Sequence, residues 1–178
     1  EKNIETANAR LRQEQLFSDP DEIAPAIFHA DARELTQYVD PESFDICITS
    51  PPYWNILNAK RTADYKEIRN YGNYENDLGD IEDYETFLRE LERVWEEVFK
   101  ALKPKKYCII NVMDLRKKAQ FIPYHMDIAR TMQDVGFKFD DLIIWDRGAE
   151  YNNLRALGYP TVFRLNKVHE FVLIFQKP

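Results

Sequence analysis

Hydrophobic positions recur along the chain with two different spacings, which predict helices and strands in alternation. Apolar side chains three or four residues apart predict a long helix that opens at Asp80, has one apolar face and stops at Pro104. Short apolar runs bounded by turn residues predict strands. The other predicted elements are a helix over residues 1–15, strands over 45–49 and 107–113, a helix over 123–135, and strands over 137–145 and 168–176.

This alternation of elements indicates an α/β fold with a mostly parallel sheet. No helical pattern lies between the last two predicted strands, so we expect them to pair as an antiparallel hairpin at the sheet edge. The length of 178 residues predicts a single domain. Residues 55–79 and 147–167 are predicted loops, and a segment as long as 55–79 without clear structure is usually functional or mobile.

The composition narrows the class of protein. Hydrophobic residues make up 44% and charged residues 31%, which is typical of a globular protein with a core, and no apolar run is long enough for a membrane span. The two cysteines lie in apolar runs without a C-x-x-C pair. No spacing of His, Cys or carboxylates is typical of a metal site. We therefore expect free thiols, no metal and a cytoplasmic location.

The charge balance bears on nucleic-acid binding. A formal net charge of −7 argues against a protein that coats nucleic acid without specificity. The charge is compatible with an enzyme that has a local basic surface. Small basic groups occur at residues 60–61, 103–106 and 116–118, although groups of this kind are more often solvated faces than binding sites.

The segment that carries chemistry is Asp45-Ile-Cys-Ile-Thr-Ser-Pro-Pro-Tyr-Trp54, a predicted strand followed by a rigid loop. Open α/β sheets bind their ligands at the carboxyl ends of strands, where this loop is expected. The two prolines fix their φ angles and lack N–H groups, so the loop presents acceptors, namely the Ser50 hydroxyl and the carbonyls of Ser50 and Pro51. Tyr53 and Trp54 add aromatic faces. Such a loop suits a planar ligand with an exocyclic amino group.

This segment resembles the D/N/S-P-P-Y/F/W signature of the DNA methyltransferases that methylate amino groups, at cytosine N4 or adenine N6. The form Thr49-Ser-Pro-Pro-Tyr-Trp54 is most similar to the cytosine-N4 branch. The resemblance extends over residues 26–178, with further similar segments at 78–104, 143–146 and 169–175. It implies a Rossmann-like fold dependent on S-adenosylmethionine.

The resemblance also implies a mechanism without a covalent enzyme intermediate, on a base that has left the DNA duplex. The catalytic residues would be Ser50, Pro51, Pro52 and Tyr53. The Ser50 side chain and the Pro51 carbonyl would hold the amino hydrogens, while Tyr53 would stack on the flipped base. Methylation at cytosine C5 is excluded, because it needs a nucleophilic cysteine, usually in a Pro-Cys pair that the chain lacks.

The chain contains no glycine-rich loop similar to F-x-G-x-G, the family element that holds the methionine part of the cofactor. Residues 3–11 and 30–34 resemble segments that follow that loop, so we expect the first strand and the loop upstream of residue 1, or on a partner chain. The resemblance implies that Asp31, Ala32 and Thr49 line the remaining wall of the cofactor site, although Asp31 is equally well explained as a helix cap. A partial catalytic domain, residues 1–178, is thus expected to bind S-adenosylmethionine poorly and to transfer no methyl group alone.

Double-stranded DNA with a flipped target base is the implied partner. The two long loops are the predicted DNA-contacting segments, because the α/β core offers no other long excursions on that side. The candidate base and DNA contacts are Trp54, Lys60, Arg61, Arg155 and Arg164.

Several alternatives stay open at this point. The signature also fits adenine-N6 methylation and methylation of RNA, and the missing glycine loop fits a catalytically silent fold that binds DNA or a partner. His29, His125 and His169 are expected to be structural. Asn111 and Asp114 lie near the expected cleft, where they either line the site or form a turn.

Overall fold

The computed structural model describes residues 2–14, 25–58, 77–117, 119–148, 156–157, 160–161 and 163–178. This part of the chain contains the helices α1 (Lys2–Glu14), α2 (Tyr84–Ala101) and α3 (Tyr124–Val135). Its strands are β1 (Phe44–Thr49), β2 (Leu102–Val112), β3 (Leu115–Lys117), β4 (Gln120–Ile122), β5 (Lys138–Asp146), β6 (Ala156–Leu157), β7 (Arg164–Leu165) and β8 (His169–Gln176). Short 3-10 helices cover Ala32–Gln37, Trp54–Asn58 and Leu78–Asp80. The predicted helices and strands are all present, and β2 begins earlier than predicted, directly after α2.

Local signals in the sequence fix the ends of the two helices that pack on the sheet. Asp83 caps α2, because its carboxylate accepts a hydrogen bond from the Thr86 amide at 2.8 Å. Gly136 ends α3 with a φ of 115°, a conformation that residues with a side chain rarely adopt. α3 therefore covers the predicted residues, whereas α2 begins at Tyr84 rather than at Asp80, which belongs to a 3-10 helix, and it ends at Ala101, before Pro104.

The main sheet has four strands in the order β1-β2-β8-β5. β1 pairs with β2 in parallel, whereas β8 is antiparallel to both β2 and β5. The α/β fold and the antiparallel pairing of the last two long strands are confirmed. Among the described strands the parallel share is smaller than expected, because β8 inserts between β2 and β5 rather than forming a hairpin outside them. Since no crossover helix connects β5 with β8 in the described residues, the chain returns in the opposite direction.

The core lies between this sheet and the helices α2 and α3. Trp95, Tyr124 and Phe87 are the largest side chains in it, with exposed fractions of 2% or less. On the sheet side it is closed by residues of β2 and β8, which are Cys108, Ile110, Val112, Leu173 and Phe175. Burying a large apolar side chain contributes about 1.5–3 kcal/mol, so this layer holds the strand ends that carry the site.

The opposite face of the sheet is far more exposed, and we call it the open face; it includes Ile46, Ile48 and Ile143. These side chains keep 49%, 71% and 50% of their surface accessible. Ile48 pairs with Ile109 of β2, so the two lie on the same face of neighbouring strands. The sheet of the described chain is therefore packed on one side and apolar but uncovered on the other.

Two further expectations concern thiols and membranes. Cys47 and Cys108 lie opposite each other in the β1–β2 register, and both are free, as predicted. Within the described ranges, no helix has the length and hydropathy to cross a membrane.

Candidate active site

The loop of residues 50–53 lies at the carboxyl end of β1, next to the carboxyl end of the parallel strand β2. Thr49 is the last residue of β1 and pairs with Ile110. The Ser50 hydroxyl donates a hydrogen bond to the carbonyl oxygen of Asn111 at 2.9 Å. The predicted position of the loop, at the end of a strand of an open sheet, is confirmed.

This hydrogen bond decides what the Ser50 hydroxyl can offer to a ligand. A serine hydroxyl has one hydrogen to donate and two lone pairs that accept. Because the hydrogen is directed at Asn111, the oxygen keeps acceptor capacity for a donor in the cleft, although the Tyr53 hydroxyl also contacts it. The Ser50 oxygen therefore acts as a hydrogen-bond acceptor, the partner that the N–H groups of an amino group need.

A second hydrogen bond holds the loop from the helical side. The hydroxyl of Tyr124, a residue at the start of α3 with 0% exposure, donates to the carbonyl oxygen of Pro52 at 2.8 Å. Pro51 is buried and Pro52 is exposed. The loop is thus fixed at Ser50 by β2 and at Pro52 by α3, and its prolines add torsional stiffness.

Tyr53 is half-buried and faces Tyr124, with 6.1 Å between the ring centroids. Burial raises the pKa of Tyr53, while the nearby Ser50 hydroxyl and the Met113 backbone act in the opposite direction. The tyrosine therefore stays protonated at neutral pH. Its ring lies beside the loop acceptors, as the sequence predicts.

Trp54 has an unusual backbone and a buried side chain. Its φ of 49° lies in the left-handed region, which is costly for a bulky residue and is typical of functional loops. The indole is 7% exposed, and it lies between the Lys117 ammonium, 3.6 Å from the ring centroid, and the edge of Tyr84. Lys117 also donates to the Asn55 side chain at 2.9 Å. Trp54 thus supports the loop from within the core, and its predicted contact with a base stays a prediction.

A polar network continues from the loop across the sheet. The Asn111 side-chain amide donates to Glu170 of β8 at 2.5 Å, and Glu170 forms an ion pair with Arg147. Glu170 is 7% exposed, so this carboxylate is well removed from water. Asn111 was a candidate from the sequence, whereas Glu170 and Arg147 were missed. The available signal was a charged residue within the apolar run of β8, since buried charges need partners.

A second polar cluster surrounds Asp114, just beyond β2. The buried Asp114 carboxylate contacts Nδ1 of His125 at 2.5 Å, and the Asp114 carbonyl accepts a hydrogen bond from Lys167 at 2.8 Å. The His125 ring stacks on Phe171 with 4.0 Å between centroids. Burial lowers the pKa of Lys167 to about 8, against the raising effect of Asp114. His125 is held by stacking and a carboxylate, which fits the structural role predicted for it.

The predicted cofactor residues lie at two places: Asp31 and Ala32 at the start of a 3-10 helix, and Thr49 at the end of β1. Asp31 caps the 3-10 helix that begins at Ala32, accepting from the Arg33 amide at 2.9 Å, and it pairs with the Arg33 guanidinium at 2.6 Å. Hydrogen bonding to Arg33 lowers the pKa of Asp31. Arg33 also contacts Glu90 of α2. The cap interpretation is confirmed, and contact of Asp31, Ala32 and Thr49 with a cofactor stays a prediction.

The predicted DNA contacts are described only in part. Lys60, Arg61 and Arg155 lie outside the described residues. Arg164 is half-buried in β7, which pairs with β6 in a two-stranded ribbon. No group of three or more metal-ligating side chains occurs in the described part of the chain.

Family and sequence comparisons bear on this geometry. The family model described as DNA methylase matches residues 44–178. The chain is 28% identical over 168 residues to the type II methyltransferase M.MjaI of Methanocaldococcus jannaschii, and 28% identical over 167 residues to the type II methyltransferase M.MthZI of Methanothermobacter thermautotrophicus. Both alignments cover 85% of this chain, but 55% and 44% of those proteins. The chain therefore spans about half the length of these relatives.

Solved structures give a matching result. TTHA0409 of Thermus thermophilus, solved in complex with S-adenosyl-L-methionine, superimposes with a TM-score of 0.57 at 31% identity, over 84% of this chain and 54% of that chain. The cytosine-N4-specific PvuII DNA methyltransferase superimposes with a TM-score of 0.55 over 84% of this chain and 48% of its own. At 20% identity, the PvuII likeness shows the fold alone.

Proposed function

This chain belongs to the DNA methylase family whose members methylate amino groups of bases, and from that premise we propose that it supplies the base-binding half of a DNA methyltransferase. The reaction would transfer a methyl group from S-adenosylmethionine to an exocyclic amino group, at cytosine N4. The observation that carries the proposal is the loop of residues 50–53. There, the hydrogen bond from Ser50 to Asn111 leaves the hydroxyl as an acceptor.

The proposed chemistry follows from the properties of an aromatic amine. Its nitrogen is a weak nucleophile, because the lone pair is delocalised into the ring. Two acceptors, the Ser50 hydroxyl and the Pro51 carbonyl, would bind the two amino hydrogens and favour a pyramidal nitrogen with a localised lone pair. Tyr53 would stack on the flipped base, a contact worth roughly 1–3 kcal/mol. Because the loop is already fixed by β2 and α3, this arrangement needs little reorganisation.

S-adenosylmethionine would supply a methyl group on a sulfonium sulfur, which leaves as the neutral thioether S-adenosylhomocysteine, while the methylated nitrogen gives up one of its protons to solvent. Asp31, Ala32 and Thr49 are the residues of this chain that we place against it. The Asp31 side chain is 36% exposed while bonded to Arg33, so one carboxylate can hold the local backbone and still accept from a ligand. This partly exposed acceptor supports the proposal that Asp31 lines one wall of a cofactor site.

We place the glycine-rich loop on a different segment, either of a longer polypeptide or of a partner chain. The open face supports this proposal, because Ile46, Ile48 and Ile143 present a large apolar surface of the kind that a second layer covers. Without the loop, the cofactor would lose charge-assisted hydrogen bonds, each worth about 1.5–3 kcal/mol. Loss of two would weaken binding by at least about 100-fold. In calorimetry, we expect no micromolar S-adenosylmethionine binding to the chain alone, and such binding would refute the assignment of the loop elsewhere.

DNA would approach the loop along the hairpin formed by β3 and β4. Lys117 on its inner side ties the hairpin to Trp54 and Asn55. On its outer side, the guanidinium of the exposed Arg116 lies 5.5 Å from the ring centroid of Phe121, and the Lys167 ammonium lies 4.5 Å from it. These cations are candidates for contacts with DNA phosphates, in addition to Lys60, Arg61, Arg155 and Arg164.

The decisive experiment measures methylated nucleosides by mass spectrometry after DNA is treated with the protein supplied with its glycine-loop segment. We expect N4-methylcytosine, and we expect Ser50→Ala to abolish it while leaving the melting temperature nearly unchanged. N6-methyladenine in its place would support the adenine-N6 alternative. Product found only on RNA, or no product with either nucleic acid, would refute the proposal.

A further inference from the structure

We propose that Glu170 and Arg147 are positioning residues for Ser50, acting through Asn111. This inference rests on the proposed function, because it assigns a task to residues behind the same site. The Glu170–Arg147 ion pair fixes the side-chain amide of Asn111. The fixed Asn111 residue in turn holds its own backbone carbonyl oxygen, which accepts the Ser50 hydrogen.

The first step is the link between Ser50 and Asn111. The Ser50 hydroxyl can rotate, and the orientation that directs its hydrogen at Asn111 leaves its oxygen as an acceptor, beside the Tyr53 hydroxyl. The Asn111 carbonyl, 2.9 Å away, selects that orientation. A shift of the Asn111 backbone would free the hydroxyl to turn its hydrogen into the cleft, where it would oppose an incoming amino group.

The second step is the anchoring of Asn111 itself. Its side-chain nitrogen donates to Glu170 at 2.5 Å, whereas its buried Oδ1 has no hydrogen-bond partner among the described residues. A buried amide normally uses both its donor and its acceptor. The orientation of this amide therefore depends on Glu170 alone within the described chain.

The third step concerns the ion pair of Glu170 with Arg147. The two side chains are 9% and 19% exposed, and the Arg147 amide donates to the Val168 carbonyl at 2.7 Å, next to the start of β8. Buried ion pairs rarely stabilise a fold more than apolar residues of the same size would. The neighbouring positions Val172 and Ile174 on β8 are apolar, so an apolar residue at 170 would also suit the strand. A gain in stability therefore does not explain the carboxylate at position 170. Its hydrogen bond to the Asn111 side-chain amide, next to the loop of residues 50–53, does explain it.

The test compares three variants in the active protein: Glu170→Gln, Glu170→Ala and Asn111→Ala. Gln can still accept from the Asn111 amide but loses the charge pair with Arg147. We therefore expect kcat to fall about 10-fold in Glu170→Gln and about 100-fold in Glu170→Ala, with the KM for DNA changed less than about twofold. Asn111→Ala keeps the backbone carbonyl but loses its anchor, and its kcat should match that of Glu170→Ala. The double variant that combines Asn111→Ala with Glu170→Ala should have the same kcat as either single variant, because both changes remove the same hydrogen bond.

Glu97→Gln is the matched control. Glu97 is 8% exposed, pairs with Lys100 on α2 and accepts hydrogen bonds from Thr36, so its partners lie outside the loop of residues 50–53. Its replacement should lower the melting temperature and leave kcat per folded molecule within about twofold. The inference is overturned if the Glu170 variants lose no more kcat than Glu97→Gln, or if the double variant shows additive losses. An inactive wild-type protein would instead count against the proposed function.

Discussion

The hydrogen bond from Tyr124 to Pro52 gives a sharp prediction, because a similar bond elsewhere in the fold serves as its control. Tyr124→Phe removes one hydroxyl from a fully buried ring and keeps the packing of that ring. The bond joins two neutral groups, and Pro52 is exposed enough for water to replace the lost donor. The expected loss of stability is therefore that of a hydrogen bond between neutral groups, about 0.5–1.5 kcal/mol.

The effect on activity follows from the position of the bond. If the same free energy holds the loop in its productive conformation, kcat should fall about two- to tenfold. The matched control is Tyr84→Phe, since the Tyr84 hydroxyl donates to the Asp127 carboxylate at 2.8 Å and does not touch the loop. A bond to a charged acceptor is worth about 1.5–3 kcal/mol, so this variant should lose more stability than Tyr124→Phe and keep its activity.

The assay combines urea unfolding with single-turnover methylation by the protein carrying its glycine-loop segment. Tyr84→Phe should lose more stability than Tyr124→Phe, whereas Tyr124→Phe should lose more kcat. For a chain of this size, each 1 kcal/mol corresponds to about 2–4 °C in Tm, which is readily resolved. The reasoning is refuted if Tyr84→Phe loses as much kcat as Tyr124→Phe, or if Tyr124→Phe keeps its full kcat per folded molecule.

Three further predictions follow from the structure. Arg116→Gln should weaken DNA binding and lower the slope of log K against log salt by about one unit, whereas Lys138→Gln on β5 should leave the slope unchanged; equal slopes would remove the hairpin from the DNA surface. Burial would raise the pKa of Glu97, but hydrogen bonds with Lys100 and Thr36 hold it at about 2, below the unfolded value. This depressed pKa stabilises the protein above about pH 4.5 and is lost as pH falls toward 2, so acid titration of wild type and Glu97→Gln should show a steeper decline for wild type. Gly136→Ala should cost about 1–2 kcal/mol in urea unfolding because φ is 115°, and an unchanged midpoint would contradict that strain.

The elements of the fold were largely predictable, because their signals are local. The periodic apolar face of α2, the glycine after α3 and the proline pair after β1 each lie within or beside the element that they define. The insertion of β8 between β2 and β5 was not predictable in the same way, since strand order depends on contacts far apart in sequence. The hairpin of β3 and β4 was also missed. Its strands have three residues each and carry too few apolar positions for a pattern.

The candidate site shows the same division between local and distant information. The position of Ser50 at a strand end follows from the strand and the two prolines beside it. The partner that sets its hydrogen is 61 residues away, and the carboxylate behind that partner is a further 59 residues along the chain. In the sequence, Trp54 is simply the neighbour of Tyr53, yet its left-handed backbone turns the ring into the core. No spacing rule in the sequence encodes that turn.

The open face has a consequence for how mutations would be tolerated. Polar substitutions at Ile48 should be nearly neutral when variants of the chain alone are selected for folding, because 71% of that side chain is already in water. The same substitutions should be purged when variants are selected for methylation in cells, if a second layer packs there. Substitutions at Ile110, on the packed face, should be purged under both selections. Two deep mutational scans, one under each selection, would therefore identify the residues that a second layer covers. These are the positions that accept polar substitutions under selection for folding but not under selection for methylation.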